Sequence, residues 1–335
     1  MGSVTATELE KHSETMDERV VPCHVCGGLE FSLLLAHKDL RAEAAWLQKF
    51  YASRSNAGGK DLTNFTQQPE TNIVKCLGCG TVLRNPQPTP EALADLYKND
   101  PYGLDTLEKL FESEKHFFRE KAEGFRLPAS ARVLEIGSFV GAFLHAAIER
   151  GWDACGIDIG EETAAFCRGR GHRVLGTIQD LEETSYDAVF IWNTFDQMAD
   201  PVGELLRLRE VLKTGGLLVI RVPNGRFEDA CLRIRKRMGL REHVRRAQAY
   251  NNFITFPYLN GYTADSLPRL LANCGYSCLR ISGDTILTLA NAETTLEAAK
   301  EEKRYKRLVM NVCRKLEEKE GVLYYPWLDA VFQMD

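Results

Sequence analysis

The middle of the chain alternates between two patterns of apolar and polar positions. Short apolar runs, typical of buried strands, are separated by segments whose apolar residues recur every three or four positions, as on one face of a helix. The helical segment that starts at Asp200 has a capping residue, a proline at its first position and a glycine stop. This order predicts a parallel sheet covered by helices on both faces. The predicted strands cover residues 132–137, 153–158, 172–176, 186–193 and 216–222.

The alternation changes after the fifth predicted strand. Residues 262–275 predict a last amphipathic helix, and residues 277–290 predict two strands around a Gly-Asp turn. We therefore expect an α/β, Rossmann-like seven-stranded sheet with an antiparallel last strand. Residues 226–258 are Arg-rich and interrupt the pattern. They predict either a solvated helix or, as we prefer, a helical cap over the carboxyl ends of the strands, where open sheets bind ligands.

Two near-copies of one cysteine turn lie ahead of the sheet, within residues 21–104. Each turn, VPCHVCGG or KCLGCGTV, places two cysteines two residues apart and follows them with glycine. Two such turns supply four thiolates, which is enough for one closed tetrahedral site. We predict a zinc-ribbon domain with a structural Zn²⁺, although four core cysteines or a redox dithiol are alternatives. The predicted ligands are Cys23, Cys26, Cys76 and Cys79.

Composition narrows the function classes for this chain of 335 residues. Its formal net charge of −5 argues against a non-specific nucleic-acid binder. Its apolar runs are shorter than the roughly 20 residues that span a bilayer, so we expect a cytoplasmic protein without a membrane partner. The ends and connections are predicted as a disordered tail at 1–20, a linking helix at 105–129, and a C-terminal helix and tail at 293–335, whose aromatic end packs on the body or on the second subunit of a homodimer.

The loop after the first predicted strand carries Gly137 and Gly141 with Phe139 between them. A dinucleotide loop needs a glycine at the middle position, because the pyrophosphate lies against the backbone there. No Lys-Ser or Lys-Thr follows, which excludes a triphosphate loop. A ligand with a carboxylate and a ribose but no phosphate is compatible with both observations. Loop amides would bind its carboxylate, and Asp158 would accept hydrogen bonds from its ribose hydroxyls. Glu135 suits an ammonium group, so we predict S-adenosylmethionine; ordinary strand-end polarity is the alternative.

Five motifs resemble, in order, those of class I S-adenosylmethionine-dependent methyltransferases: VLEIGSFVGAFL, CGIDIG, YDAVFIWNTFDQMADP, VLKTGGLLVIRVPN and GYTADSLPRLLANCGY. The resemblance covers about residues 130–290 and implies a cofactor domain made of 130–225 and 259–292. The segment CLGCGTVLRNPQPTPEALADLY resembles the zinc-ribbon front end of a subgroup that modifies sugars and other small metabolites. The resemblance assigns cofactor contacts to the loop residues Gly137, Ser138, Phe139 and Gly141, to Asp158, to Ile159, Thr177 and Ile178 around the adenine, and to Asn193 and Thr194 near the sulfonium.

Two positions depart from the pattern of these enzymes. Many relatives have Glu-His after the fourth strand, where this chain has Asp196-Gln197, and many have a histidine where this chain has Tyr258. An amide cannot take a proton at neutral pH, so Gln197 is excluded as a general base. The catalytic candidates are therefore Tyr258, His243 and Asp196. The substrate-binding candidates are Gln197, Asn224 and Tyr262.

The predicted function is methyl transfer by in-line displacement to a small phosphate- or sugar-bearing metabolite such as a nucleotide-sugar, held by the Arg-rich cap. Two alternatives remain open. An RNA methyltransferase would use the zinc ribbon and the basic cap, but the acidic pI of about 5.9 opposes it. A non-catalytic S-adenosylmethionine-binding protein would explain the two missing histidines.

Overall fold

The computed structural model describes residues 3–5, 18–54, 71–98, 102–181, 185–237, 241–250, 258–285 and 294–335. The first of its two large sheets belongs mostly to the front of the chain. Its five strands, all antiparallel to their neighbours, lie in the order β1 (Ser3–Thr5), β3 (Glu30–Leu35), β4 (Asn72–Cys76), β5 (Val82–Asn85) and β12 (Asn260–Gly261). A separate short pair consists of β2 (Glu18–Arg19) and β6 (Gln87–Pro88). Helices α1 (His37–Ala52) and α2 (Pro90–Lys98) accompany these strands.

The second sheet has seven strands and confirms the predicted α/β fold class. In spatial order they are β13 (Tyr276–Asp284), β14 (Trp327–Met334), β11 (Leu212–Pro223), β10 (Tyr186–Trp192), β7 (Arg132–Ile136), β8 (Asp153–Ile157) and β9 (Arg173–Leu175). Strands β7 to β11 are parallel, and β14 runs antiparallel between β11 and β13.

Within the described ranges, eight further helices connect or follow these strands. They are α3 (Leu104–Glu123), α4 (Ala142–Glu149), α5 (Glu161–Gly169), α6 (Pro201–Val211), α7 (Gly225–Arg237), α8 (Arg241–Ala249), α9 (Ser266–Asn273) and α10 (Leu296–Glu320). The start of α6 follows its sequence signal, because the Asp200 carboxylate accepts a hydrogen bond from the Gly203 amide at 3.0 Å.

The end of the sheet differs from the predicted hairpin over 277–290. Strand β13 pairs with β14, which comes from the segment we expected to be a C-terminal tail, and residues 286–293 lie outside the described ranges. Both flanks of β14 are covered by strands, so the aromatic end of the chain packs inside its own sheet. The apolar run WLDAVFQM lacks the alternation of a half-buried strand, and periodicity alone could not distinguish it from an apolar patch.

The predicted disordered tail is wrong at its described positions. Ser3–Thr5 adds to the edge strand β3, and Glu18–Arg19 pairs with Gln87–Pro88. An open sheet edge offers unpaired backbone groups that a short extended segment can satisfy.

Alternate residues of the central strands face two different cores. One core takes Leu134, Val189 and Ile191 and also includes Cys23 of the first cysteine turn and Val74 of the front sheet. The opposite core takes the intervening residues of the same strands together with aromatic residues of α3 and α4; it includes Val133, Phe190, Trp192, Phe118 and Phe143. The cysteine-bearing module therefore shares one continuous core with the seven-stranded sheet.

The Arg-rich segment is helical, as predicted, but several of its arginines form ion pairs with carboxylates of neighbouring helices. Arg235 and Arg245 both contact the buried Glu43 of α1, at 2.6 and 2.8 Å. Arg246 pairs with Glu301 of α10 at 3.1 Å. Helices α7 and α8 are therefore tied to α1 and α10 through arginines that were expected to hold an acidic substrate.

Candidate functional site

The glycine loop forms a tight turn between β7 and α4. Gly137 and Gly141 have φ angles of 74° and 73°, which favour glycine. A Cβ at position 137 would lie 2.2 Å from the Thr194 hydroxyl oxygen. Phe139 has a φ of 46° and packs edge-on against Tyr102, with ring centroids 5.5 Å apart. The loop therefore brings backbone amides to the carboxyl end of β7, and Ser138, buried in the turn, has a hydroxyl without a partner among the described residues.

Asp158 follows β8 directly and binds this loop. Its carboxylate accepts hydrogen bonds from the Phe139 amide at 2.6 Å, the Gly160 amide at 2.9 Å and the Thr163 hydroxyl at 2.7 Å. Burial raises the pKa of Asp158, and these three donors oppose the rise. The end of β8, the glycine loop and the start of α5 are thus joined by the carboxylate that we predicted to bind the ribose.

Glu135 lies on β7 beside the loop and is 3% exposed. Burial raises the pKa of Glu135 well above its usual range, and the nearby carboxyls of Asp158 and Glu114 raise it further. One of its carboxyl oxygens has no hydrogen-bond partner among the described residues. A buried, partnerless carboxyl is costly unless a ligand satisfies it, so this atom fits the ammonium group for which Glu135 was predicted.

Glu114 of α3 was not found from the sequence. It is half-buried, and burial raises its pKa to about 7. Its charge acts on both Glu135 and Tyr258. Helix α3 carries charged residues throughout, so periodicity did not reveal which of them faces the site.

Asp196 and two tyrosines lie together beyond the end of β10. Asp196 is fully buried, and burial raises its pKa well above the usual range. Burial raises the pKa of both Tyr258 and Tyr262 as well, and the neighbouring Asp196 adds to the effect on each. Tyr258 could act as a general base at neutral pH only if its pKa were lowered. The raised pKa therefore speaks against that role.

Gln197 is held in place by two neighbours. Its amide oxygen accepts a hydrogen bond from the Tyr97 hydroxyl of α2, and its amide nitrogen donates to the Asn193 carbonyl. Asn193 has a φ of 53°, and its side-chain oxygen is buried without a partner in the described part of the chain. Thr194 donates to the Trp192 carbonyl at 3.1 Å. Tyr97, which the sequence did not reveal, thus positions a predicted substrate residue.

The segment from Tyr258 to Asn260 is hydrogen-bonded to the cysteine-bearing module at the front of the chain (the front module). The Arg84 side chain donates to the Tyr258 carbonyl at 2.8 Å, and the Arg84 amide donates to the Leu259 carbonyl at 2.8 Å. Gln87 donates to the Asn260 side chain at 3.3 Å. Arg84 and Gln87 lie just past the second cysteine turn, so the module that carries the cysteines also fixes one wall of the site.

The structure does not bring two predicted residues into this group. The His243 ring faces the Tyr305 hydroxyl at 3.2 Å, in the seam between α8 and α10, because the Arg-rich helices pack there. Asn224 donates to the carbonyls of Leu323 and Tyr325 and accepts from the Arg226 amide. With all its polar groups used, Asn224 secures the chain before β14.

The adenine-side candidates lie at the ends of β8 and β9. Ile159 is 38% exposed, which is compatible with an apolar contact to a ligand. Thr177 caps a short 3₁₀ helix that includes Ile178, and its hydroxyl donates to Asp180 at 2.9 Å. Asp180 therefore places a carboxylate beside the predicted adenine contacts Thr177 and Ile178.

The four paired cysteines form one cluster. Their sulfur atoms all lie within 4.8 Å of one another, with Cys23 and Cys79 at 3.4 Å and Cys26 and Cys76 at 3.4 Å. A tetrahedral zinc ion with Zn–S bonds of about 2.3 Å needs sulfur separations of roughly 3.8 Å. Each turn is closed by a glycine amide that donates to the first cysteine's carbonyl, at 2.7 and 3.0 Å. The cluster therefore fits zinc in ligand type, number and spacing.

Comparisons with known proteins agree with this geometry. Residues 106–281, just over half of the chain, match a family model described as a methyltransferase domain. No curated protein matches the chain. In the part of the chain that the structure describes, no helix is both long and apolar enough to cross a membrane.

Several solved structures are similar to the chain in fold. An S-adenosylmethionine-dependent methyltransferase from Archaeoglobus fulgidus is 18% identical, with a TM-score of 0.43, and the match covers 68% of this chain and 97% of that one. The mycolic acid cyclopropane synthase CmaA1, complexed with S-adenosylhomocysteine, is 13% identical, with a TM-score of 0.45 and coverages of 72% and 94%. The [4+2]-cyclase SpnF is 14% identical, with a TM-score of 0.46 and coverages of 74% and 97%.

Proposed function

Because the chain belongs to the methyltransferase-domain family, we propose that it transfers a methyl group from S-adenosylmethionine to a small-molecule acceptor bound beyond the ends of β7 and β10. One observation carries this proposal. The glycine loop, Asp158 and Glu135 meet at one edge of the sheet, and Asp196 lies beyond them with its carboxyl unused.

The residues at this edge suit S-adenosylmethionine, which supplies a methyl group on a sulfonium sulfur. The amides of Gly137, Ser138 and Phe139 are engaged within the protein, so the amides at the start of α4 bind the methionine carboxylate. The partnerless oxygen of Glu135 accepts from the ammonium group. Asp158 binds the ribose hydroxyls, which compete with its present donors for the carboxylate oxygens. The protein then acts mainly by orienting the acceptor, an effect worth roughly 7–11 kcal/mol in well-aligned reactions.

The cysteine cluster holds a structural zinc ion in this proposal. Four thiolates leave the ion no open coordination position, so it takes no part in the chemistry. Its role is to fix the strands whose neighbours, Arg84 and Gln87, hold the Tyr258–Asn260 segment.

Three arginines of the Arg-rich helices give no support to a phosphate-bearing acceptor. Arg235, Arg245 and Arg246 are engaged by carboxylates of α1 and α10. The same pairing weakens the case for an RNA substrate, which needs unpaired basic groups for phosphate contacts.

Calorimetric titration with S-adenosylhomocysteine tests the cofactor half of the proposal. Asp158→Ala should weaken binding about 100-fold or more, because two charge-assisted hydrogen bonds of roughly 1.5–3 kcal/mol each are lost. Asp153→Ala, at the exposed start of the same strand, is the matched control and should bind like the wild type. Equal affinities for Asp158→Ala and the wild type would contradict the assignment.

A further inference from the structure

The acceptor side of the site, beyond the end of β10, contains a carboxyl group that no described residue satisfies. Asp196 is 0% exposed, and neither of its carboxyl oxygens has a hydrogen-bond partner among the described residues. Its position is fixed by the backbone, since the Asp196 carbonyl accepts from the Leu259 amide at 3.1 Å. An acid buried in this way costs stability unless a ligand meets it.

A second buried group beside Asp196 also lacks a partner. The Tyr262 hydroxyl, in a fully buried residue, makes no hydrogen bond within the described ranges. Its ring packs on Phe195, with centroids 5.4 Å apart. Asp196 lies close enough to Tyr262 and to Tyr258 to affect the pKa of both. Two independent polar side chains therefore point to a missing ligand at the same place.

Glu114 of α3 supplies a second, half-buried carboxyl. Its charge acts on Tyr258 and on Glu135, which borders the cofactor site. Tyr258 also contributes an aromatic ring, which makes a T-shaped contact with Trp327, with ring centroids 5.7 Å apart.

Two cations near the end of β11 are already paired with carboxylates. Arg221, fully buried at the end of β11, contacts Asp329 and lies 3.0 Å from Asp284. Lys121 contacts the same two carboxylates. Because these two cations and two anions balance, neither cation is left to neutralise Asp196 once a bound ammonium ion ionises it.

We propose that the acceptor is a small organic amine, held as its ammonium ion between Asp196 and Glu114 against the aromatic faces of Tyr258 and Trp327. This inference rests on the proposed function. A buried carboxylate and an aromatic face both favour a cation, and a phosphate or carboxylate acceptor would be repelled.

The two carboxyls also provide a place for the proton. The ammonium gives one proton to a carboxylate oxygen of Asp196 or Glu114, which leaves a neutral amine with a free lone pair. The acceptor nitrogen then forms a bond to the methyl carbon while the carbon–sulfur bond breaks and its electron pair stays on sulfur. The product is a methylated ammonium ion and a neutral thioether, so charge and protons balance.

Calorimetry on the full chain saturated with S-adenosylhomocysteine tests the inference with two probe series of matched shape. The first is benzylamine, benzyl alcohol and benzoate, and the second is butylamine, butanol and butyrate. In at least one series the amine should bind on the order of tenfold more tightly than the alcohol, and the carboxylate should not bind. No preference for the amine in either series would overturn the inference.

Charge-removing variants separate recognition from a structural role. Asp196→Asn and Glu114→Gln should each remove most of the amine preference, while S-adenosylhomocysteine binds as before. Asp196→Asn should also keep or raise the thermal midpoint, whereas a structural role for this carboxyl would lower it. Glu120→Gln, an exposed position on the same helix as Glu114, is the control and should keep the preference.

The two proposals fail differently. A wild-type protein that does not bind S-adenosylhomocysteine ends the proposed function. A protein that binds it but treats amines and alcohols alike, or whose Asp196→Asn and Glu114→Gln variants keep the full amine preference, ends only the amine inference.

Discussion

The cofactor side and the acceptor side of this site are built in different ways. The cofactor side is one strand, its loop and the end of the next strand, and the central carboxylate of Asp158 has three donors within 2.9 Å. The acceptor side draws on α2, α3, the front module and the segment before β12, and the Asp196 carboxyl has no donor among the described residues. A local half, whose central carboxylate is satisfied by the protein, is thus joined to a dispersed half, whose buried carboxyl has no partner in the described part of the chain.

Removal of the proposed zinc ion should give the largest difference in hydrogen-exchange protection between the two sides. Metal-bound thiolates contribute roughly 10–16 kcal/mol of apparent free energy in small zinc domains. Chelation, or Cys76→Ser, should therefore remove hydrogen-exchange protection from residues 258–262, while residues 137–141 keep more of theirs. Cys278→Ser, at the exposed cysteine of β13, is the matched control. Equal loss of protection on both sides would show that the comparison is wrong.

Gly137→Ala should damage the cofactor side selectively. The new Cβ would lie 2.2 Å from the Thr194 hydroxyl in a backbone with a φ of 74°. We expect a loss of roughly 1–3 kcal/mol in unfolding free energy and weaker S-adenosylhomocysteine binding. Gly169→Ala is the control, because no atom lies within 4 Å of its added Cβ. Denaturant unfolding and calorimetry measure both effects, and a Gly137→Ala protein as stable as Gly169→Ala would contradict the loop geometry.

Glu114→Gln should change stability in a pH-dependent way. The folded pKa of Glu114 is raised from 4.5 to about 7, so the folded state holds its proton more tightly than the unfolded state. This contribution to stability is present below pH 4.5 and declines as the pH rises to about 7. The Glu114→Gln variant does not ionise at this position, so it does not lose this contribution as the pH rises. Its thermal midpoint should therefore exceed that of the wild type across this pH range and above it. A difference that does not vary with pH, or one shared by Glu120→Gln, would remove Glu114 from the site.

Tyr97→Phe should have the smallest effect. It removes the hydroxyl that donates to Gln197 and keeps the ring in its cluster with Leu93 and Leu259. Loss of one such hydrogen bond is worth roughly 0.5–1.5 kcal/mol. Acceptor affinity should fall a few-fold, with S-adenosylhomocysteine binding unchanged. If only the affinity for S-adenosylhomocysteine changed, Gln197 would belong to the cofactor side of the site.

The same contrast between the two sides explains which site residues could be predicted from the sequence. Residues 133–158 contain the strand, the glycines, Phe139 and Asp158, whose spacing along the chain fixes their meeting in space. Glu114 and Tyr97 lie on helices with many charged or apolar residues, and nothing local marks the ones that face the site. The Arg-rich segment misled in the same way, because Arg235 and Arg245 are paired with Glu43, while the Asp196 carboxyl has no partner among the described residues.

The edge of the sheet shows a second limit of the sequence. Strand β14 joins the sheet through pairing with residues more than 40 positions away, and pairing partners at that distance leave no periodic signal. The zinc-ligand candidates were accessible because each cysteine turn is local and occurs twice.

A crystal structure with bound S-adenosylhomocysteine tests the central claim most directly. The ribose should bind Asp158, the ammonium group should contact Glu135, and the sulfur should face the space between Asp196 and Glu114. A ligand bound elsewhere, or one whose sulfur points away from Asp196, would contradict the account.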